Sequence, residues 1–293
     1  MQRQEVKALL ARLGVKPSKG RGQNFLIEPE VVEDLLQFSQ ISADAELIEI
    51  GPGLGVLTEK LSKLVSTRQR KILTAIEVEP EFATNLRQRF GNLTVICDDV
   101  RNVNLPLTLD SAQAKYYLFG NLPYSLSSSI LEWVVTQREY IEGAVFLLQR
   151  EFVERISAQP GSRAYGSISV FLQRYAFLDA GSVVSPEVFV PAPKVDSQIV
   201  RLRMRAKPYP ELKNEAVFER IVRAAFSARR KTLINSLMQS SFVRNANFAT
   251  QQNTKATLQA ALVEAQIDEQ RRAETLSLDE FAQLADSIKR QGF

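Results

Sequence analysis

Short apolar runs alternate with helical periodicity through the first two-thirds of the chain. Glu46–Ile50, Lys71–Val78, Leu93–Cys97 and Tyr116–Phe119 read as strands. Helical patterns follow them: from the glycine-rich stretch Gly51–Gly55 to about Val65, then Pro80–Phe90 and Leu126–Arg138. Gly143–Leu148 reads as a further strand and Arg150–Ala158 as a helix. Such alternation predicts a parallel sheet covered by helices on both faces. Ser167–Tyr175 and Val195–Met204 are expected to close that sheet with antiparallel pairing. Beyond Pro208 and Pro210 the strand signal ends, and Glu215–Ser240, Lys255–Ala265 and Ser277–Arg290 carry a helical period. The expected fold class is α/β with a small C-terminal all-α domain. The division falls between residues 206 and 207.

Composition removes several chemistries. The 293 residues include no histidine and a single cysteine, Cys97. Histidine-based triads, cysteine–histidine pairs, cysteine or histidine metal sites and internal disulfides are therefore excluded, and no metal is expected. No apolar run approaches the roughly 20 residues of a membrane span. The basic N-terminus lacks the apolar core of a signal peptide, so a cytoplasmic setting is expected. Net charge is only +4, but the basic residues are clustered. One cluster holds Arg3, Lys7, Arg12, Lys16, Lys19 and Arg21. A second runs through Arg201, Arg203, Arg205 and Lys207 to Arg220, Arg223, Arg229, Arg230 and Lys231. Two such patches on a balanced chain suit a nucleic-acid backbone; ordinary solvated charge is the competing reading.

The chemistry is carried by Gly120-Asn121-Leu122-Pro123-Tyr124-Ser125, which follows the fourth strand. The Asn121 amide oxygen and the Leu122 carbonyl, held outward by Pro123, can both accept from an exocyclic amino group. Tyr124 can stack on the ring that bears it. The pattern points to methyl transfer onto a nucleobase amine. A plain strand-to-helix turn with an early proline is the alternative.

Gly51-Pro52-Gly53-Leu54-Gly55 brings backbone close to a ligand at the carboxyl edge of the sheet. A dinucleotide fingerprint would want glycine at 56, where Val56 stands, and there is no phosphate-seeking lysine of the P-loop kind. The spacing suits S-adenosyl-L-methionine instead. Glu49 could face its ammonium group, Glu77 its ribose hydroxyls and Asp99 its adenine amine. Asp98 is the adjacent competitor and should be the less inward, because neighbours on a strand face opposite ways.

Taken together, these segments resemble the ribosomal RNA adenine dimethyltransferase family, in its small-subunit branch. The resemblance spans about residues 20 to 240. It rests on Gly22-Gln23-Asn24-Phe25-Leu26, Glu49–Gly53, Asn121–Tyr124, Ala164-Tyr165-Gly166, Phe189–Ser197 and Arg230-Lys231-Thr232-Leu233. It implies a Rossmann-like S-adenosylmethionine-dependent methyltransferase sheet in residues 1–206, with a basic N-terminal arm, and a helical rRNA-recognition domain in 207–293. By the resemblance, Asn24, Leu26, Gly51, Glu77, Asp99 and Asn121 contact the cofactor or its surroundings, and Gly53 belongs to the same turn. Tyr124 stacks the target adenine and Phe189 covers its other face. The implied activity is dimethylation of two adjacent adenosines near the 3′ end of small-subunit rRNA, as naked RNA or a partly assembled subunit. A monomer is expected. Ser125 departs from the asparagine common at that position; serine can also cap a helix there. A large-subunit rRNA methyltransferase of the antibiotic-resistance type, or an RNA-binding assembly factor that has lost the reaction, are the alternatives.

Overall fold

The computed structural model describes residues 1–17, 22–42, 44–67, 72–109, 115–240 and 251–291. In chain order the elements are α1 (Arg3–Leu13), β1 (Phe25–Leu26), α2 (Pro29–Ser39), β2 (Glu46–Ile50), α3 (Val56–Thr67), β3 (Leu73–Ile76), α4 (Pro80–Arg89), β4 (Leu93–Ile96) and α5 (Leu105–Thr108). Then come β5 (Tyr116–Asn121), α6 (Ser127–Thr136), β6 (Ile141–Gln149), α7 (Arg150–Ile156), α8 (Ser167–Tyr175), β7 (Ala176–Val184), β8 (Phe189–Val190) and β9 (Ser197–Met204). The chain ends with α9 (Glu215–Ala225), α10 (Leu233–Gln239), α11 (Gln251–Glu264) and α12 (Leu278–Arg290).

The main sheet has seven strands in the order β4-β3-β2-β5-β6-β9-β7. β2 to β6 are parallel, with Leu47 opposite both Leu73 and Tyr117, whereas β9 runs antiparallel to β6. Leu47, Tyr117, Phe119, Val145 and Leu147 share a core with Val32 and Leu35 of α2 and Leu57 and Leu61 of α3. The residues that alternate with them, Ile48, Leu118, Ala144, Phe146 and Leu148, are also buried. A strand buried on both faces needs a helical layer on each side, which is what the alternating sequence supplies. The chain moves outward from β2 to β4 and then returns to β5 on the other side of β2. That reversal is the switch point at which open α/β sheets bind ligands.

Two small elements cover this edge. β1 pairs antiparallel with β8, placing Phe25 opposite Val190 and Leu26 opposite Phe189. Val6 and Leu10 of α1 pack with Phe25, Ile27, Leu54 and Phe82. The N-terminal helix thus buries an apolar stripe beside the glycine turn and exposes Arg3, Lys7 and Arg12. Lys19 and Arg21 lie outside the described residues.

The chain forms two compact units, Met1–Val153 with Phe177–Met204, and Glu154–Ala176 with Arg205–Phe293. The expected division at 206/207 lies two residues from the break at 204/205. Residues 154–176, expected with the sheet, belong instead to the helical unit. Within it, Ser167–Tyr175 is a helix rather than the expected strand. Its β-branched and aromatic residues favour strands locally, but Val170 joins the buried core of α9 to α12. Tertiary packing overrides a weak propensity. The antiparallel partner expected there is supplied by Val195–Met204, observed as β9, while β7 begins just after α8. The helix expected over Glu215–Ser240 breaks after Ala225, leaving Arg230 and Lys231 exposed in the gap. Asn214 starts α9 by accepting from the Val217 amide, and Ser277 and Glu280 cap α12 reciprocally. Leu258, Leu262, Phe281 and Leu284 are wholly or almost wholly buried, so the C-terminal helices are core, not padding.

Candidate active site

The carboxyl ends of β2, β3, β4 and β5 open onto one cavity of about 370 Å³, within the range typical of small-molecule sites. Gly51 and Gly53 form its floor; their φ angles of 66° and 53° lie in the left-handed region that glycine enters without strain. A Cβ on Gly53 would come within 3.0 Å of the Phe25 ring. The cradle is shaped by glycine on one side and by Phe25, edge-on to Phe82, on the other. At the end of β5, a Cβ on Gly120 would lie 2.6 Å from the Ile50 carbonyl oxygen. Glycine therefore lets β5 approach β2 closely enough to bring Asn121 to the same cavity.

Of the residues singled out in the sequence, Asn24, Leu26, Glu49, Gly51, Gly53, Glu77, Asp99, Asn121 and Pro123 all line this space. Leu122 and Tyr124 lie outside the lining on the same loop. Asp98 is outside it too, its carboxylate accepting from Asn102 Nδ2 and the Asp99 amide. Phe189 differs more. Its side chain is wholly buried in the core beside Leu26 and Val184, so in this arrangement its ring presents no face to a base. The reason is its register opposite Leu26, which turns the ring into the sheet.

The three acids occupy different environments. Glu49 is 2% exposed and accepts from Thr58 Oγ1 at 2.6 Å. Burial pushes its carboxyl up to about 8, against the Thr58 hydrogen bond, and the nearby Glu77 adds to the rise. Glu77 is 4% exposed and accepts at 2.9 Å from the amides of Gly53 and Glu79, one on each oxygen. Burial raises its pKa, while those amides oppose the rise. Asp99 is more open and is gripped by Arg101, Nε at 2.9 Å and Nη2 at 2.6 Å, which lowers its pKa.

The Asn121 side chain is held from Asn24. Its Nδ2 donates to the Asn24 carbonyl at 2.7 Å, which leaves Oδ1 to accept. Leu122 donates from its backbone to Leu147 O, and Leu126 to Pro123 O, fixing the loop as α6 begins. The Tyr124 hydroxyl meets Ser197 Oγ at 2.6 Å.

A family model described as "Ribosomal RNA adenine dimethylase" matches residues 16–289. The chain belongs to the ribosomal RNA adenine dimethylase family. It is 33% identical over 289 residues to the Ribosomal RNA small subunit methyltransferase A of Geobacillus sp. (strain WCH70), covering 97% of this chain and 95% of that protein. Among solved structures, a dimethyladenosine transferase from Plasmodium falciparum superposes with a TM-score of 0.76 at 22% identity, over 92% of this chain and 98% of that one. The 23S rRNA methyltransferase ErmE superposes with 0.65 at 24% identity, over 91% and 100%. Both structures share the fold. The chain is an S-adenosylmethionine-dependent methyltransferase. The cavity suits that cofactor: a glycine cradle for its amino-acid end, buried acids for a cation, and apolar walls. The family match runs past residue 240, where the motifs that carry the resemblance end, so the last helices belong to the family fold.

Sequence reasoning missed Phe25, Thr58, Val78, Phe82 and Arg101. Val78 carried a usable signal, an apolar residue straight after the acid that ends a strand; it is 51% exposed and lines the cavity. Thr58 and Arg101 carried none, because their roles depend on which carboxylate the fold sets beside them. The second basic cluster is partly structural. Arg201 and Arg203 both bond Asp179, and Arg229 pairs with Glu274 and donates to the carbonyls of Arg163 and Tyr165. Among the described residues no helix is long and apolar enough to cross a membrane.

Proposed function

We propose that this methyltransferase dimethylates the exocyclic nitrogen of two adjacent adenosines near the 3′ end of small-subunit rRNA. The observation that carries the reading is that Asn121, Gly51 and Gly53 line one cavity, which supports an amide acting on the target amine beside the cofactor. The near full-length relationship to a small-subunit methyltransferase supports the choice of RNA.

S-adenosylmethionine, when bound, supplies a methyl group on a sulfonium centre. The protein's part is positional. Gly51 and Gly53 bring backbone close to the ligand, Glu77 offers its remaining lone pairs to the ribose, and Asp99 accepts from the adenine amine. The buried Glu49 faces the cationic amino-acid end, where a positive charge favours its ionised form. Asn121 Oδ1 and the Leu122 carbonyl accept from the target amine, drawing its nitrogen away from ring conjugation and freeing the lone pair for attack. Tyr124 stacks the flipped base, which returns roughly 1–3 kcal/mol of the unstacking cost. Holding two reactants in line is worth up to about 7–11 kcal/mol, so no general base is needed. The methylated nitrogen is acidic and loses its proton to water.

Exposed basic residues, among them Arg230 and Lys231, would bind rRNA phosphates, with an affinity that falls steeply as salt rises. A monomer is expected to act on small-subunit rRNA, either naked or in a partly assembled subunit. Incubation of a mixture of unmethylated small and large subunits with labelled S-adenosylmethionine, followed by mapping of the label, tests the reading. Label on two neighbouring adenosines of small-subunit rRNA is expected. Label confined to large-subunit rRNA, or none, would overturn it.

A further inference from the structure

The segment Phe189–Ser197 stands out in the sequence, yet neither of its ends lines the cofactor cavity. Its last residue has a specific contact. Ser197 opens β9 and pairs with Gln149 at the far end of the β6–β9 ladder, so its backbone is fixed by the sheet. Its side chain is wholly buried, and its Oγ lies 2.6 Å from the Tyr124 hydroxyl. Next to it, Arg150 donates from its backbone to Asp196 O, which holds the strand entrance. Tyr124 is only half-buried and sits on the connection between β5 and α6. A ring at the end of a loop has freedom about both side-chain torsions, and a stacking platform loses value when it rotates. A hydroxyl seated in a rigid strand removes that freedom from the far end of the ring.

We infer that Ser197 is a positioning residue for methyl transfer, holding the Tyr124 ring in the plane on which the target adenine stacks. This rests on the stacking role proposed for Tyr124. Ser197 touches neither base nor cofactor and acts through the phenol alone. The bond is short and partly shielded from water; burial raises the Tyr124 pKa, and the Ser197 hydrogen bond opposes that rise. Loss of the contact should lower the rate of methylation and leave cofactor binding unchanged, because Ser197 lies outside the cofactor cavity.

The test uses the full chain, unmethylated small subunits and labelled S-adenosylmethionine, with four variants: Ser197→Ala, Tyr124→Phe, both together, and Tyr124→Ala. Ser197→Ala and Tyr124→Phe are each expected to lower kcat by about fivefold to tenfold, the scale of one buried hydrogen bond. Cofactor Kd should stay within about twofold of the parent. The double variant should be no slower than either single one, because both remove the same contact. Tyr124→Ala should be slower than all of them. Unchanged kcat in Tyr124→Phe would overturn the inference, and so would additive losses in the double variant. Should Ser197→Ala unfold, Tyr124→Phe alone decides, since it deletes one oxygen from a half-buried ring. If Tyr124→Ala also kept the parent rate, the stacking role itself would fall, which separates the two failures.

Discussion

The floor and the rim of the cavity use acidic side chains in opposite ways. On the floor, Glu49 and Glu77 are almost fully enclosed, and burial raises both pKa values. On the rim, Asp99 keeps part of its surface in water and is held ionised by Arg101. All three lie at or just past the carboxyl ends of successive strands and look equivalent in the sequence. The difference teaches that the floor stores an electrostatic cost that a cationic ligand relieves, whereas the Asp99 carboxylate is already ion-paired and gains little from a positive charge. A cofactor that carries positive charge should therefore be sensed by the floor. Asn121, which lines the same cavity, is the residue to which the proposed mechanism gives the chemistry.

The largest effect should separate chemistry from binding. Asn121→Ala removes the accepting amide and should lower kcat by about 100-fold or more, the scale of losing a group aimed at the reacting atoms. Single-turnover methylation of small subunits measures it, and cofactor Kd should change little by comparison. Next comes the floor. Glu77→Ala leaves the buried Gly53 amide without its partner and removes the ribose acceptor, so cofactor affinity should weaken by about 30-fold to 100-fold. Calorimetric titration would read this, and an unchanged Kd would show that the floor does not bind the ligand.

The third effect concerns pH. Because the Glu49 carboxyl stands near 8 in the folded chain and 4.5 ordinarily, the folded state holds a proton that the unfolded state has released between those values. Stability of the cofactor-free protein should then fall as pH rises from about 4.5 to 8, by at most about 1.4 kcal/mol per pH unit, and level off above. Glu49→Gln should flatten the slope of denaturation midpoint against pH over that window. A parent profile that rises through it would contradict the buried, protonated floor. The smallest effect is on the rim. Arg101→Ala removes a part-exposed ion pair, and cofactor Kd should weaken only about twofold to fivefold, less at high salt. A loss as large as that of Glu77→Ala would erase the distinction between rim and floor.

Much of the site is legible in the chain itself. The glycine turn, the acids at the ends of β2 to β4 and the Asn-Leu-Pro-Tyr run sit at strand ends that apolar periodicity marks clearly, so their convergence on one edge follows from a parallel sheet. Ser167–Tyr175 is not legible in the same way. Its β-branched and aromatic residues suit either element, and the helical core that claims it is built largely from residues more than 40 positions later. Nor is the inward turn of Phe189, which the family resemblance assigns to base stacking. The pairing of two-residue strands that buries it has no local signature.

Sequence alone determined which chemistries were available. A chain without histidine must run its chemistry on carboxylates, amides, hydroxyls, backbone groups or a bound cofactor. Tertiary structure alone decided what each polar group experiences: Glu49 is enclosed and Asp99 is not, and Ser197 reaches Tyr124 from 73 residues away. Solvent exclusion and long-range partners arise only when distant segments pack together, and no reading of neighbours along the chain contains them.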